Sequence, residues 1–434
     1  MIKFLMTILM GVMVSFYFFP IEFTFLPGVN TKMAMAGFGL VVLAVQLASR
    51  RKGYIDHDVF KYSLIAILVS LIGLVAVTYN ETYDYTYATY IVSMWVWLSA
   101  AYVVVTFMRR LHGYMSVELV CNYLIGVCTA QCILALLLDG FPMFKDVVNT
   151  YVSGFGFVDN SQLNNGGRLY GIGAGLDVAG LRFSAVLCAI AHITSRIAST
   201  TRRNYIWIYL VCFVIIGLVG NMIARTTTVG VGLALVYWLI SLFRSDSADE
   251  NSFLWKRLAC VIMVALLIII PLYNSNYNFR ENTRFAFEGF FSLAEKGRWD
   301  VHSNEILKGM YIFPDNLKTW LIGDGYIENP IGTDPYYTGD IMGGYYMATD
   351  VGYLRFIFYF GIFGLLAFIG FFISITQGCI KKFPAQSLLF LFFLAVNMAG
   401  WFKVSTDIFL VFAPFLLISR EENEEADKRL AVND

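Results

Sequence analysis

Long apolar runs recur at close intervals along this sequence, and that recurrence limits the fold more than any other feature. A run of about twenty apolar residues can cross the hydrocarbon core of a bilayer as a helix, because a helix satisfies its backbone polar groups internally. Read in this way, the chain has about twelve predicted spans, at 4–19, 33–48, 62–79, 90–107, 117–138, 181–197, 205–222, 227–243, 258–272, 351–376, 387–401 and 408–419. Only 14% of the 434 residues are charged and 58% are hydrophobic, whereas soluble domains carry about 25% charged residues. The expected fold is all-α: a polytopic membrane protein whose single integral membrane domain fills residues 1–434. Lys3 precedes the first apolar run and no small-residue cleavage site follows, so that run reads as an uncleaved first span.

Basic residues set the expected orientation. Arg50-Arg51-Lys52, Arg109-Arg110, Arg202-Arg203, Lys256-Arg257 and Lys381-Lys382 fall in alternate connections, and the tail after Arg420 lies on the same side. The connection 80–88 has Glu81 and Asp84 but no base. The positive-inside bias then places both termini in the cytosol and two long connections, 139–180 and 273–350, outside. The tail 420–434, with Glu421-Glu422-Asn423-Glu424-Glu425, reads as a solvated and disordered charge run. The seven cysteines, Cys121, Cys128, Cys132, Cys188, Cys212, Cys260 and Cys379, lie in predicted spans or at a cytosolic end, which argues against a disulfide framework. Cys128 and Cys132 share a helix face with no His or carboxylate, so packing is expected there rather than metal.

The connection 273–350 is the main polar interruption. At roughly 75 residues it is far too long for a turn between two spans. Within it, 283–296 sets Phe285, Phe287, Phe290, Phe291 and Leu293 among polar residues, a pattern for an interfacial helix. Residues 301–310 suit a second short helix. Pro314, Pro330 and Pro335, with many Gly and Tyr, then suggest an irregular lid or binding loop. Gly323-Asp324-Gly325 is too short to signify phosphate binding and reads as a turn. No internal repeat, Walker loop, zinc signature or dinucleotide fingerprint is present.

Ionisable residues near spans are costly, so each is a functional candidate. They gather at the outer boundary: Arg168, Asp177 and Arg182, Arg225 in Ala224-Arg225-Thr226, and Asp350 with Arg355. Arg280, Arg284 and Arg298 lie in the long connection. A transporter would instead place such groups near the midplane. Guanidinium forks suit phosphate and keep their charge, so an arginine-rich boundary suits a lipid-linked diphosphate. The bland alternatives are solvation for Arg168 and snorkelling for Arg182 and Arg355. Arg280 and Arg284 could simply meet anionic headgroups. Arg225 follows an apolar span directly and requires a partner. A transfer from such a diphosphate to a hydroxyl, as in glycosyl transfer, would also need a base. Asp350 stands where the long connection re-enters the membrane, and partial burial there would raise its pKa; a helix N-cap is the structural alternative. His302 is the other titratable candidate, with solvation as its bland alternative.

The pattern resembles the Wzy-type O-antigen and capsule polymerases, relatives of the O-antigen ligases. The resemblance covers the whole topology, with a large outer loop between the ninth and tenth spans. Its local marks are Ala224-Arg225-Thr226, Arg298-Trp299 leading to Gly323-Asp324-Gly325-Tyr326, and Asp350-Val351-Gly352-Tyr353-Leu354 followed by Phe360-Gly361-Ile362-Phe363-Gly364. Ligases have a segment like His-Asn-x-x-Leu before a Gly-x-x-Gly turn; here Asp350 takes the histidine's place, a departure toward polymerase. The resemblance implies metal-independent, inverting glycosyl transfer without a cofactor, at the periplasmic face of the bacterial inner membrane. Polysaccharide on undecaprenyl diphosphate would pass to a new lipid-linked repeat unit. Asp350 and Arg225 would be catalytic, and Arg168, Arg182, Arg284, Arg298 and Arg355 would bind substrate. Tyr326, Tyr336, Tyr337, Tyr345 and Tyr346 could stack on sugars. Membrane lipids and a chain-length regulator are the other expected partners, with no nucleic acid. Competing expectations are an O-antigen ligase, a flippase for lipid-linked oligosaccharide, and a scaffold of a cell-envelope complex.

Overall fold

A computed structural model of the chain describes residues 2–48, 58–154, 168–197, 201–244, 248–334, 337 and 344–432. Arg50-Arg51-Lys52, Gly166-Gly167, Pro335 and Tyr336 lie outside the described residues. The helices are α1 Ile2–Phe18, α2 Thr31–Ala48, α3 Asp58–Tyr79, α4 Tyr90–His112, α5 Val117–Gly140, α6 Pro142–Tyr151, α7 Leu176–Ile197, α8 Ile206–Ile223, α9 Thr227–Arg244 and α10 Ala248–Ser275. Then follow α11 Tyr277–Ala286, α12 Glu288–Lys296, α13 His302–Gly309, α14 Leu317–Leu321, α15 Pro330–Thr333, α16 Gly352–Lys382, α17 Ser387–Gly400, α18 Phe409–Leu416 and α19 Arg420–Val432. Two short strands, β1 Glu22–Phe23 and β2 Val152–Gly154, pair antiparallel. The protein is an all-α membrane protein. Among the described residues seven helices are long and apolar enough to cross a bilayer: α3, α4, α5, α7, α8, α10 and α16. Shorter apolar helices α1, α2, α9 and α17 occupy four more predicted positions.

Two crossing helices show how hydropathy relates to burial. The least apolar crossing helix, α7, has mean hydropathy 1.6 and is 83% buried in the protein, whereas α10 has 2.4 and is 17% buried. Lipid rewards an apolar surface all round, so helices that carry Ser, Thr, Gly and charge are drawn to the centre. Accordingly α7 packs against α5, α8, α9 and α17. Small residues permit the close approach: a Cβ on Gly180 would overlap the Thr226 hydroxyl, and one on Gly230 would overlap Ser184. Ser184 Oγ donates to the Thr226 carbonyl at 3.0 Å and accepts from the Gly230 N–H at 3.1 Å. These bonds fix the turn between α8 and α9, where Arg225 stands.

The last predicted span differs. Helix α18 has eight residues with Pro414 inside, a length of about 12 Å against a hydrocarbon core of about 30 Å. Its eight residues are all buried, which is the condition under which short or irregular backbone is tolerated at membrane depth. The tail also corrects its expectation. Residues 420–432 form α19 rather than a disordered run: Asn423 and Ala426 are buried, and Arg109 reaches Glu422 at 2.7 and 3.1 Å and the Leu417 carbonyl at 3.1 Å. Acid in the first turn of α19 also suits the helix dipole. Arg109→Ala strands those acceptors. It is expected to cost about 1–3 kcal/mol and to raise protease cleavage of the tail in detergent, read against wild type.

At the opposite end of the bundle, the segment after α10 lies across the helix termini. One predicted helix over 283–296 is two, α11 and α12, broken at Phe287 (φ −117°, ψ 29°). The glycines of Gly323-Asp324-Gly325 make a turn that plugs a kink in α16. Inside α16, Gly361 has φ 69° and Phe360 is also non-helical. The Asp324 N–H donates to the Phe358 carbonyl and the Gly325 N–H to the Tyr359 carbonyl at 3.1 Å, satisfying acceptors the kink releases. A side chain on Gly361 would overlap the Leu321 backbone as well as strain its left-handed φ. Gly361→Ala is expected to destabilise by about 3 kcal/mol or more, read as a lower melting midpoint of the detergent-solubilised protein.

Candidate active site

The site begins at the α8–α9 turn. Arg225 Nε donates to the Phe285 carbonyl at 2.9 Å, Nη1 donates to Ser303 Oγ at 3.0 Å, and Nη1 lies 2.7 Å from Glu288 Oε2. The Phe285 carbonyl sits in the last turn of α11, where helix acceptors lose intrahelical partners. The guanidinium also covers the Phe285 ring at 4.0 Å, and Arg168 faces the same ring at 5.0 Å. Burial disfavours the Arg225 charge, and Glu288 offsets that effect. The other Glu288 oxygen accepts the backbone N–H of His302 at 3.2 Å. One arginine thus joins α11, α12 and α13 to the bundle end, and Glu288 is the partner its environment demands.

The second half surrounds the start of α16. Arg355 donates twice to the Ile327 carbonyl (3.2 and 2.8 Å), pairs with Glu328, reaches Asp350 Oδ1 at 3.4 Å and lies 4.7 Å from the Tyr345 ring centre. Ile327 is held in turn by its N–H on Asp84 Oδ2 at 2.8 Å. Close backbone contact positions this end of α16: a Cβ on Gly352 would overlap the Val404 carbonyl, and the Tyr353 N–H donates to the Trp401 carbonyl at 3.0 Å. That contact brings the α17–α18 connection, with Lys403, alongside. Lys403 Nζ is 3.1 Å from Asp177 Oδ1.

Asp350 is not the helix cap. Val351 is the N-cap residue, with no side-chain cap bond. The Asp350 carboxyl is instead pushed up to about 6, mainly by burial; Arg355 and Lys403 pull it down, while Asp177 and Glu328 push it up. A carboxyl in that range exchanges protons near neutrality. Asp177 links the two halves. Its charge acts on Arg225 as well as on Asp350, and its carboxylate accepts from the Thr226 hydroxyl at 3.4 Å. Burial also raises the Tyr345 phenol to about 12, with Asp350 adding to the effect.

Among the residues singled out in the sequence, Asp350, Arg355, Arg225 and Arg168 therefore stand in this region. Three others do not join them. Arg298 is 76% exposed and lies 3.5 Å from Asp300. Arg284 pairs with Glu295 at 2.8 Å and faces Phe291. Arg182 lies within the bundle, donating to the Phe18 carbonyl. His302 is exposed and contributes its backbone N–H to Glu288. Tyr326 packs with Tyr337 and Tyr346 at 5.7 and 5.2 Å between ring centres, and Tyr326 and Tyr346 donate to Asp334 and Asp324. Glu288, Glu328 and Lys403 escaped the sequence reading. Glu288 carries a usable signal, because an arginine fixed beside a span end requires an acid in whatever covers it. Lys403 has none before the α17–α18 connection is seen against α7.

No protein-family model, no curated protein and no solved structure matches this chain.

Proposed function

We propose that this protein is a polysaccharide polymerase: a membrane glycosyltransferase that moves glycan from undecaprenyl diphosphate onto a lipid-linked repeat unit at the periplasmic face of the bacterial inner membrane. In this reading the chain makes twelve passes, both termini are cytosolic and the 273–350 segment is periplasmic. Nucleotide sugars are absent from that compartment, so the substrates are lipid-linked. The observation that carries the reading is Asp350, a carboxyl raised to about 6 and placed beside Arg355 under the connection that follows α10. Asp350 takes the acceptor hydroxyl's proton as the glycosidic bond to the diphosphate breaks. Arg225 and Arg168 neutralise the departing diphosphate, and the Glu288 pair holds Arg225 in place until that charge arrives. Tyr345 and the Tyr326–Tyr346 group supply faces for sugar rings.

The test is deletion of the gene followed by electrophoresis of the cell's surface glycan. Loss of a polymerase leaves a single-repeat product. Unmodified core with lipid-linked polymer accumulating would mean a ligase, and repeat units stranded inside the cell would mean a flippase; either result refutes the proposal.

A further inference from the structure

A second group of charges lies inside the bundle, apart from Asp350 and Arg225. Arg182 is only 8% exposed. Of its five N–H groups, one has an acceptor, the Phe18 carbonyl, while Nε is out of solvent with no partner. Its guanidinium carbon is 5.6 Å from the Phe19 ring centre and 5.9 Å from that of Trp97. Lys32, at the start of α2, places Nζ 4.5 Å from the centre of the same Trp97 ring. Asp407 is the carboxylate whose charge reaches both cations. It does not pair with either: among the described residues neither cation has a carboxylate within 4.0 Å. Asp407 Oδ1 instead accepts the Phe409 N–H at 2.8 Å. Two cations against one acid leave one positive charge uncompensated beside a desolvated donor.

Such an arrangement is costly unless something occupies it. An unpaired buried donor costs about 1–3 kcal/mol, and a charge at membrane depth normally finds a partner. Contact with Trp97 and Phe19 returns only part of this. The surroundings restrict the missing partner to an anion. A guanidinium and an ammonium within 6 Å of the same ring centre suit a group with several acceptor oxygens. The cluster of charges meets the protein surface at the start of α2, where Lys32 is partly exposed and its neighbours Val29 and Met33 are exposed.

We propose that Lys32 and Arg182, with Trp97 as a wall, form a binding site for a phosphate-class anion in the crevice between α1, α2, α4, α7 and the start of α18. Asp407 sets its strength by repulsion. The site shares no residue with the Asp350–Arg225 region and does not rest on the glycosyl-transfer reading, since a catalytically dead protein would still bind.

The test uses the full-length protein in nanodiscs of zwitterionic lipid, titrated calorimetrically with pyrophosphate. In parallel, nanodiscs doped with phosphatidic acid are examined by native mass spectrometry for retained lipid. Saturable anion binding is expected to survive in Arg225→Gln, which removes the diphosphate contact proposed at the other site, and in that background to weaken about tenfold or more with either Lys32→Gln or Arg182→Gln and to strengthen with Asp407→Asn. Binding of pyrophosphate shows that the free group suffices; retention of phosphatidic acid alone identifies a lipid headgroup as the source. Lys32 is partly exposed at a helix start, so Lys32→Gln decides the matter if Arg182→Gln fails to fold. No binding of either probe, or wild-type affinity in Lys32→Gln, overturns the proposal.

Discussion

Asp350→Asn is expected to stop chain extension while leaving the protein folded in the membrane. Loss of a positioned general base costs about 10²–10⁴-fold in rate, and the amide can still occupy the space beside Arg355. Stability should not fall with activity. The Asp350 folded-state pKa of about 6 lies above the ordinary aspartate value of 3.8, so the ionised carboxylate works against the fold. That penalty is absent below about pH 4, where the carboxyl is protonated in both states, and grows until the pH passes about 6. At pH 7.5 the asparagine variant is therefore expected to melt at the wild-type temperature or higher, with up to about 3 kcal/mol relieved. The pH profile carries the same sign: a base must be deprotonated, so wild-type extension should rise through about pH 6 and level off above it. A variant that loses activity together with its fold, or a flat wild-type profile between pH 5 and 8, would remove Asp350 from the role of base.

The second large effect is at Arg225, where two roles can be separated. The side chain latches α11, α12 and α13 to the bundle through Phe285, Glu288 and Ser303. It is also proposed to meet the leaving diphosphate. Arg225→Gln should lower extension by about 10²–10³-fold, the range for loss of one charge-stabilising donor. Glu288→Gln removes the competing carboxylate but keeps an acceptor. It should stay within a few-fold of wild type and bind the lipid-linked donor more tightly, seen as a lower KM. Equal damage from both substitutions would mean that the latch is the whole of Arg225's contribution.

Much of the fold could be read from the sequence because lipid imposes a simple rule. The apolar runs at 62–79, 117–138 and 205–222 became α3, α5 and α8 with ends shifted by a few residues. The rule fails where a helix is covered by protein rather than lipid. The run 408–419 is as apolar as any other, yet only Phe409–Leu416 is helical there, since buried irregular backbone needs no lipid-facing ladder. It fails again at the tail, where charge density suggested solvation but Arg109, fixed at the end of α4, supplies a partner for Glu422. At the site, the costly charges are visible in sequence: Arg225 directly follows an apolar run, and Asp350 ends a polar stretch just before one. Their partners were not. Glu288, Glu328 and Lys403 are ordinary surface-type residues until the break at Phe287 and the close approach of Gly352 to Val404 bring them in. Arg182, also a boundary arginine in the sequence, is buried there, because its position on α7 turns it toward Phe18 and Trp97.

In the proposed function this protein extends glycan chains on a lipid diphosphate with Asp350 as base. The direct measurement is reconstitution of the purified protein in liposomes with lipid-linked repeat units extracted from cells lacking the gene, followed by gel analysis of the product. The wild-type protein should convert single repeats into a ladder, and Asp350→Asn should leave them as single repeats in the same liposomes. A ladder of equal length and yield from Asp350→Asn would contradict the assignment of the base, and no ladder from wild type under any pH or donor ratio would contradict the function itself.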